Sequence, residues 1–123
     1  MSAKLIPIYT TKGDAEAYLA YPYIFNRNGE WIGFVSPNRE VYSVRGFYVG
    51  TLTDDPRIIS KRAEDSPHPR VSPPPKPPRV SLPATIPLAP MMSELTHSSI
   101  DVLLDEPDRL HTLDHGESIQ DMD

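Results

Sequence analysis

The chain has no cysteine, so neither disulfides nor thiolate metal sites are available to it. It has no run of 18 apolar residues, and its first residues, MSAKLIPIYTT, lack the apolar stretch of a signal peptide. The expectation is a cytoplasmic protein with no membrane association. Aromatic residues are absent from 63–123, since all six Tyr, all three Phe and the single Trp lie in 1–62. Only that first part carries the side chains of an ordinary core, and a body near sixty residues buries only about 60% of its unfolded surface. Basic residues are scarce beyond residue 90, where Arg109 stands against nine Asp and Glu. The net charge is +2 over 1–62, +1 over 63–90 and −8 over 91–123, which sums to the overall −5. A near-neutral body with an acidic tail lacks the footprint of a nucleic-acid binder.

What the first part does have is a unit written three times: IYTTKGDAEAYL (8–19), IFNRNGEWIGFV (24–35) and VYSVRGFYVGTL (41–52). Each begins with a β-branched residue and an aromatic, has Gly at its sixth position (Gly13, Gly29, Gly46) and a small residue at its tenth (Ala17, Gly33, Gly50). Asn28-Gly29 is a strong hairpin signal, because a two-residue type I′ turn needs positive φ at both central positions. A bulged three-residue loop with Gly in the left-handed conformation fits the same residues. In the two-residue register Arg27 faces Glu30, Asn26 faces Trp31, Phe25 faces Ile32 and Ile24 faces Gly33. Ile8 then faces Ala17 and Val41 faces Gly50. A branched aliphatic opposite a small residue lets hairpins converge on an axis, while Tyr9, Phe25 and Tyr42 occupy the opposite face. Ordinary sandwich alternation is the plainer alternative. Tyr21-Pro22, Ser36-Pro37-Asn38 and Asp54-Asp55-Pro56 mark the joints. Ile58-Ile59 opens a fourth hairpin whose partner is Leu5-Ile6 or a second chain, and the open edge makes a homo-oligomer an expectation.

These hairpin copies, above all IFNRNGEWIGFVSPNREVYSVRGFYVG, together with a Pro-rich stretch such as SPPPKPPR, resemble the family of small, mostly bacterial proteins described as having a 4-fold β-flower domain. The resemblance covers roughly residues 5–62. It implies four β-hairpin petals about a pseudo-four-fold axis, and it carries over no catalytic or ligand residue. The expected fold is therefore all-β. A hairpin-repeat domain spans 1–62, a Pro-rich linker 63–90, and a mostly disordered acidic tail with a possible short helix 91–123.

Ten of the fifteen prolines lie between Pro67 and Pro90, so 63–90 reads as a semi-rigid polyproline spacer. Pro74, Pro77 and Arg79 match PxxPxR, a pattern that SH3-type grooves accept, although any tract this rich in proline matches it readily. In the tail, Leu95, Ile100, Leu103 and Leu104 form an apolar stripe on a helix capped by Ser93 or Ser98, with Pro107 ending it. Such a segment folds on a partner, packs on the body or stays disordered. His111 and His115 stand four apart, a metal-ligand spacing on a helix, yet they follow a proline and precede Gly116, so exposed histidines are the plainer reading.

No nucleophile motif, phosphate loop or body histidine appears, and no enzymatic activity or cofactor is expected. Arg27, Arg39, Arg45 and Arg57, interleaved with Trp31, Phe47 and Tyr48, raise single-stranded nucleic acid as an option. Arg27 paired with Glu30 and aromatics spent on the core is the simpler account. The leading expectation is a non-enzymatic adaptor that binds an unidentified protein partner through the hairpin body, through Pro74, Pro77 and Arg79, or through Leu95, Ile100, Leu103 and Leu104. The alternative is a small-ligand or carbohydrate binder using Trp31, Phe47 and Tyr48.

Overall fold

The computed structural model of the chain describes residues 5–61 and 68–113. Eight strands form one antiparallel sheet in chain order: β1 (Ile6–Tyr9), β2 (Ala15–Ala20), β3 (Tyr23–Phe25), β4 (Trp31–Val35), β5 (Glu40–Ser43), β6 (Tyr48–Leu52), β7 (Ile58–Lys61) and β8 (Ser99–Asp101). The sheet curls, and the four hairpins β1–β2, β3–β4, β5–β6 and β7–β8 are its petals. A one-turn helix, α1 (Val102–Asp105), follows β8 directly, and a 3-10 turn (Pro107–Arg109) follows α1.

The three complete hairpin tips share one local chemistry. Thr10, Asn26 and Ser43 each donate their N–H to the carbonyl four residues on, at 2.8 Å in every copy. Gly13, Gly29 and Gly46 donate back to those same three residues and have φ of 92°, 79° and 88°. The side-chain oxygens of Thr10, Asn26 and Ser43 accept the N–H two residues on, which reinforces the turn. This is the bulged three-residue loop, not the two-residue turn. Accordingly Ile8 opposes Ala17, Ile24 opposes Gly33 and Val41 opposes Gly50 as expected, but one step outward the register shifts. Phe25 lies opposite Trp31 instead of Ile32, and Tyr42 opposite Tyr48. The bulge thereby brings the eighth residue of a copy onto the same face as the second.

Two apolar layers result. On the concave face the first residue of every petal, Ile8, Ile24, Val41 and Ile58, is fully buried in one aliphatic cluster with Ala17, Leu19, Val35 and Leu52. Convergence on an axis is thus what the small tenth position serves. A Cβ at Gly33 would meet the Tyr42 carbonyl oxygen at 2.5 Å and Leu110 at 2.8 Å. On the convex face Phe25, Trp31, Phe34 and Tyr42 form an aromatic cluster, with Phe34 and Tyr42 stacked at 5.4 Å.

The partner of β7 is neither Leu5-Ile6 nor a second chain. Ile59, Ser60 and Lys61 pair with Asp101, Ile100 and Ser99. The fourth petal is closed within the chain, and the edges of the sheet are β1 and β8. The expected tail helix is likewise replaced: Ser99–Asp101 is strand, and the single turn after it is capped by the Asp101 side chain, not by Ser93 or Ser98. Ile100, Val102, Leu103 and Leu110 are buried, the last three inside the aliphatic cluster. Residues 99–113 therefore complete the core, where a largely disordered tail was expected.

Between β7 and β8 the Pro-rich segment returns across the hairpin tips as a strap. It meets the third hairpin first, then the second, then the first. Val71 N–H donates to the Gly46 carbonyl and Val80 N–H to the Gly29 carbonyl, both at 3.0 Å. Val71 and Val80 pack on the aromatic cluster, giving the convex face the cover that a single curled sheet cannot supply for itself.

Candidate functional site

A polar network that includes the buried Arg57 and Asp101 links hairpin 1 to the fourth petal. Tyr9 N–H on β1 donates to the Pro56 carbonyl just ahead of β7. Thr11 donates both its N–H (2.6 Å) and its hydroxyl (2.7 Å) to Oδ2 of Asp101. The buried Arg57 guanidinium donates to the Thr11 hydroxyl at 3.1 Å and to Asp55 Oδ2 at 2.8 Å. Burial raises the Asp55 carboxyl, but hydrogen bonds from Thr53 and Arg57 and the Arg57 charge outweigh it, and its pKa falls below the ordinary carboxylate value. Among the described residues no buried side-chain nitrogen or oxygen lacks a hydrogen-bond partner.

The residues singled out from sequence scatter over the molecule. Trp31 is buried, its indole N–H donating to the Gly33 carbonyl at 2.7 Å, so it offers no open stacking face. It borders a cavity of about 370 Å³ shared with Lys76, Pro77 and Arg79 of the strap. Tyr48 is half-buried and stacks on His68 at 3.6 Å between centroids. Phe47 is exposed, with the Arg70 guanidinium 5.4 Å above its ring. Pro74 and Pro77 are half-buried in the strap, and Arg79 Nε donates to the Asn28 carbonyl at 2.8 Å. Leu95 and Leu104 are half-buried, whereas Ile100 and Leu103 are buried within the chain's own fold.

The arginines are engaged separately. Arg27 pairs with Glu16 at 3.3 Å, not with Glu30, Arg39 pairs with Asp54 at 3.1 Å, Arg57 is buried against Asp55, and Arg45 is half-buried in the third hairpin turn. His111 is half-buried, while His115 lies outside the described residues. Among the described residues no group of three or more His, Asp or Glu could hold a metal ion, and no helix is long and apolar enough to cross a membrane.

The open site is one that the sequence reading did not select. The joints between hairpins surround a recess of about 550 Å³. Its floor is Leu19, Val35 and Leu52, the twelfth residue of each copy, and Ile6, Tyr21, Pro37 and Pro56 stand at its rim. Tyr21 is 61% exposed and Ile6 43%, an uncommon degree for large apolar side chains so close together. Charge at the rim is confined to Arg39 and Asp54, which pair with each other. Arg39 Nε also donates to the Leu52 carbonyl at 2.8 Å, and its φ of 67° repeats the left-handed position that glycine holds at the tips. The signal was present in the repeats, because a conserved phase puts position twelve of every copy at the same end of the same face.

Four petals in one antiparallel sheet, with aliphatic residues on an axis, define a pseudo-symmetric hairpin-repeat protein. The family model for the 4-fold beta flower protein matches residues 6–100. The chain belongs to that family, and the match runs past residue 62, across the strap and into β8. No curated protein and no solved structure matches the chain.

Proposed function

We propose that the chain is a non-enzymatic interaction module that receives apolar side chains of a partner protein in the recess at the hairpin joints. One observation carries this: Tyr21 and Ile6 stand exposed around a floor of Leu19, Val35 and Leu52. Burying such a rim against a partner is worth about 1.5–3 kcal/mol per large apolar side chain. This reading moves the contact surface from the Pro-rich strap and the tail onto the body. The strap already has its Arg and Val groups on hairpin tips, and the tail has Ile100 and Leu103 inside the fold.

The test places a photo-crosslinking amino acid at Tyr21 and, as a control, at exposed Phe47, in the cell that makes the protein. A discrete adduct from position 21 that is lost with Ile6→Lys supports the proposal. Equal adducts from both positions, or none from position 21, sink it. The recess volume also falls in the range of small-ligand pockets, roughly 300–1,000 Å³, which favours a small apolar ligand as the second reading. Native mass spectrometry of the purified protein separates the two, since a retained small molecule adds a defined mass.

A further inference from the structure

The strap treats the three hairpin tips unequally. At the third tip Arg70 Nε donates to the Arg45 carbonyl at 2.6 Å and Val71 N–H to the Gly46 carbonyl at 3.0 Å. At the second tip Arg79 Nε donates to the Asn28 carbonyl at 2.8 Å and Val80 N–H to the Gly29 carbonyl at 3.0 Å. The two docked segments are the same words, Pro-Arg-Val-Ser at 69–72 and 78–81, nine residues apart. Nine residues further, the first tip meets Leu88 and Ala89. Leu88 has no side-chain donor and is 95% exposed. At Gly29 and Gly46 an added Cβ would collide with the strap's Val80 and Val71 carbonyls, whereas at Gly13 the nearest atom is the Ala89 Cβ at 3.8 Å. The Tyr9 hydroxyl ties the strap to hairpin 1 by donating to the Pro87 carbonyl at 2.7 Å, but the strap stands off the turn itself, which has the hydrogen bonds and positive φ of the other two.

What the stand-off leaves is an opening of about 530 Å³ between hairpin 1 and residues 86–89. Tyr9 and Tyr18 line it, and so do the carboxylates of Asp14 and Glu16. Arg27 meets Glu16 in a solvent-exposed pair, the kind worth at most about 1 kcal/mol. Asp14 is exposed and has no ion pair among the described residues. Among the described residues no strap group donates to the Lys12 or Gly13 carbonyl, the counterparts of the four acceptors filled at the other tips.

We propose that this opening docks an arginine-bearing, extended Pro-Arg-Val-type segment of a partner protein. The fit follows from the two filled tips: a guanidinium for the carbonyl ahead of the glycine, a backbone N–H for the glycine carbonyl, and an extended chain that costs little further order. Asp14 and Glu16 add a charge partner for the guanidinium. This site is separate from the recess at the joints, so either proposal can fail without the other.

The probe is a fluorescent peptide of residues 69–81, PRVSPPPKPPRVS, titrated into the full-length protein and read by anisotropy. Saturable binding, weakened at least fivefold by D14N/E16Q and abolished when both peptide arginines are replaced by glutamine, is the expected result. Amide shifts at Gly13–Glu16, exceeding those at Gly29 and Gly46, locate the peptide independently of the variant's stability. No binding overturns the proposal. So does binding that ignores D14N/E16Q and shifts Gly29 and Gly46, because the peptide is then exchanging with the chain's own strap.

Discussion

Asp101 and Thr11 meet across ninety positions of sequence, the carboxylate accepting both the backbone N–H and the hydroxyl of Thr11. Asp101 ends β8 and also caps α1 through the Leu104 N–H. One side chain therefore joins the first hairpin to the segment that completes the fourth. Asp101→Ala removes the acceptor of two Thr11 donors; Thr11 is exposed and can turn to water, so the cost should be about 1.5–3 kcal/mol, the net worth of hydrogen bonding to a charged group. Asp101→Asn keeps an acceptor and should cost less. Urea unfolding of the two variants checks both the size and the order.

The glycines at the tips separate two effects that are usually mixed. Each has positive φ, where an alanine costs about 1–2 kcal/mol. Gly13→Ala should show only that cost, because its Cβ has room. Gly29→Ala and Gly46→Ala should in addition expel the strap, since the new methyl occupies the place of the Val80 or Val71 carbonyl. Hydrogen exchange at the Val71 and Val80 amides reads this directly. Protection should fall at Val80 in Gly29→Ala and at Val71 in Gly46→Ala, and at neither in Gly13→Ala.

How much of this was legible in the sequence depends on the range of each interaction. Turn glycines, the small tenth position and the pairing of Ile24 with Gly33 could be read, because φ and side-chain alternation are local. The bulge could be named only as an alternative, since Asn28-Gly29 suits both loop types. β8 was not legible: three residues, Ser99–Asp101, show no period, and what makes them a strand is the β7 edge beyond a long excursion. The strap was half-legible. Its proline content announced an extended chain, and the repeated Pro-Arg-Val-Ser was there to be matched with the glycine repeat. Without that match Trp31 looks like an exposed platform. Its burial comes from groups far along the chain, among them Pro77 and Val80.

Gly33 and Gly50 test the convergence of petals. A Cβ at Gly50 would meet the Ile59 carbonyl oxygen at 2.7 Å and Ile58 Cγ2 at 3.3 Å, and at Gly33 the Tyr42 carbonyl oxygen lies at 2.5 Å. Backbone cannot yield as a flexible side chain can, so either alanine should destabilise by about 1–3 kcal/mol, the usual cost of overpacking. Ala17 shows that hairpin 1 accommodates the methyl at the same position. The converse variant, Ala17→Gly, should therefore be destabilising too, by loss of buried methyl and gain of chain entropy. Thermal midpoints of the three variants test this, and a neutral Gly33→Ala would count against close approach.

Acid should weaken the Asp55–Arg57 contact beside β7. The folded Asp55 carboxyl titrates below its unfolded value of 3.8, so the unfolded chain takes up the proton first. The stability this group contributes is fully present above the unfolded value and is lost as pH falls through the lower, folded one. Urea midpoints should stay flat from neutrality to about pH 5 and drop below pH 4. Asp55→Asn should start lower and show a shallower acid limb, because the titrating partner of Arg57 is gone. An unchanged acid limb in Asp55→Asn would assign the acid loss to other carboxylates.

At the alkaline end the sign reverses. Burial raises Tyr42, and the hydrogen bond that its hydroxyl donates to Glu40 at 3.0 Å raises it further. Burial also raises Tyr18, against the opposing Arg27 charge. Both are neutral in the fold at a pH where the unfolded chain, titrating at 10.0, has begun to ionise. Their contribution is complete below that value and is lost as pH rises through the folded ones. Absorbance at the tyrosinate band should show two of the six tyrosines ionising late, coincident with the loss of near-ultraviolet circular dichroism. Tyr42→Phe should remove one late group while losing the Glu40 hydrogen bond, about 1 kcal/mol at neutral pH. Its deficit relative to the parent should shrink as pH climbs past 10, since the phenylalanine ring has no proton to lose. A deficit that stays constant across that range would mean Tyr42 ionises no later in the fold than in the open chain.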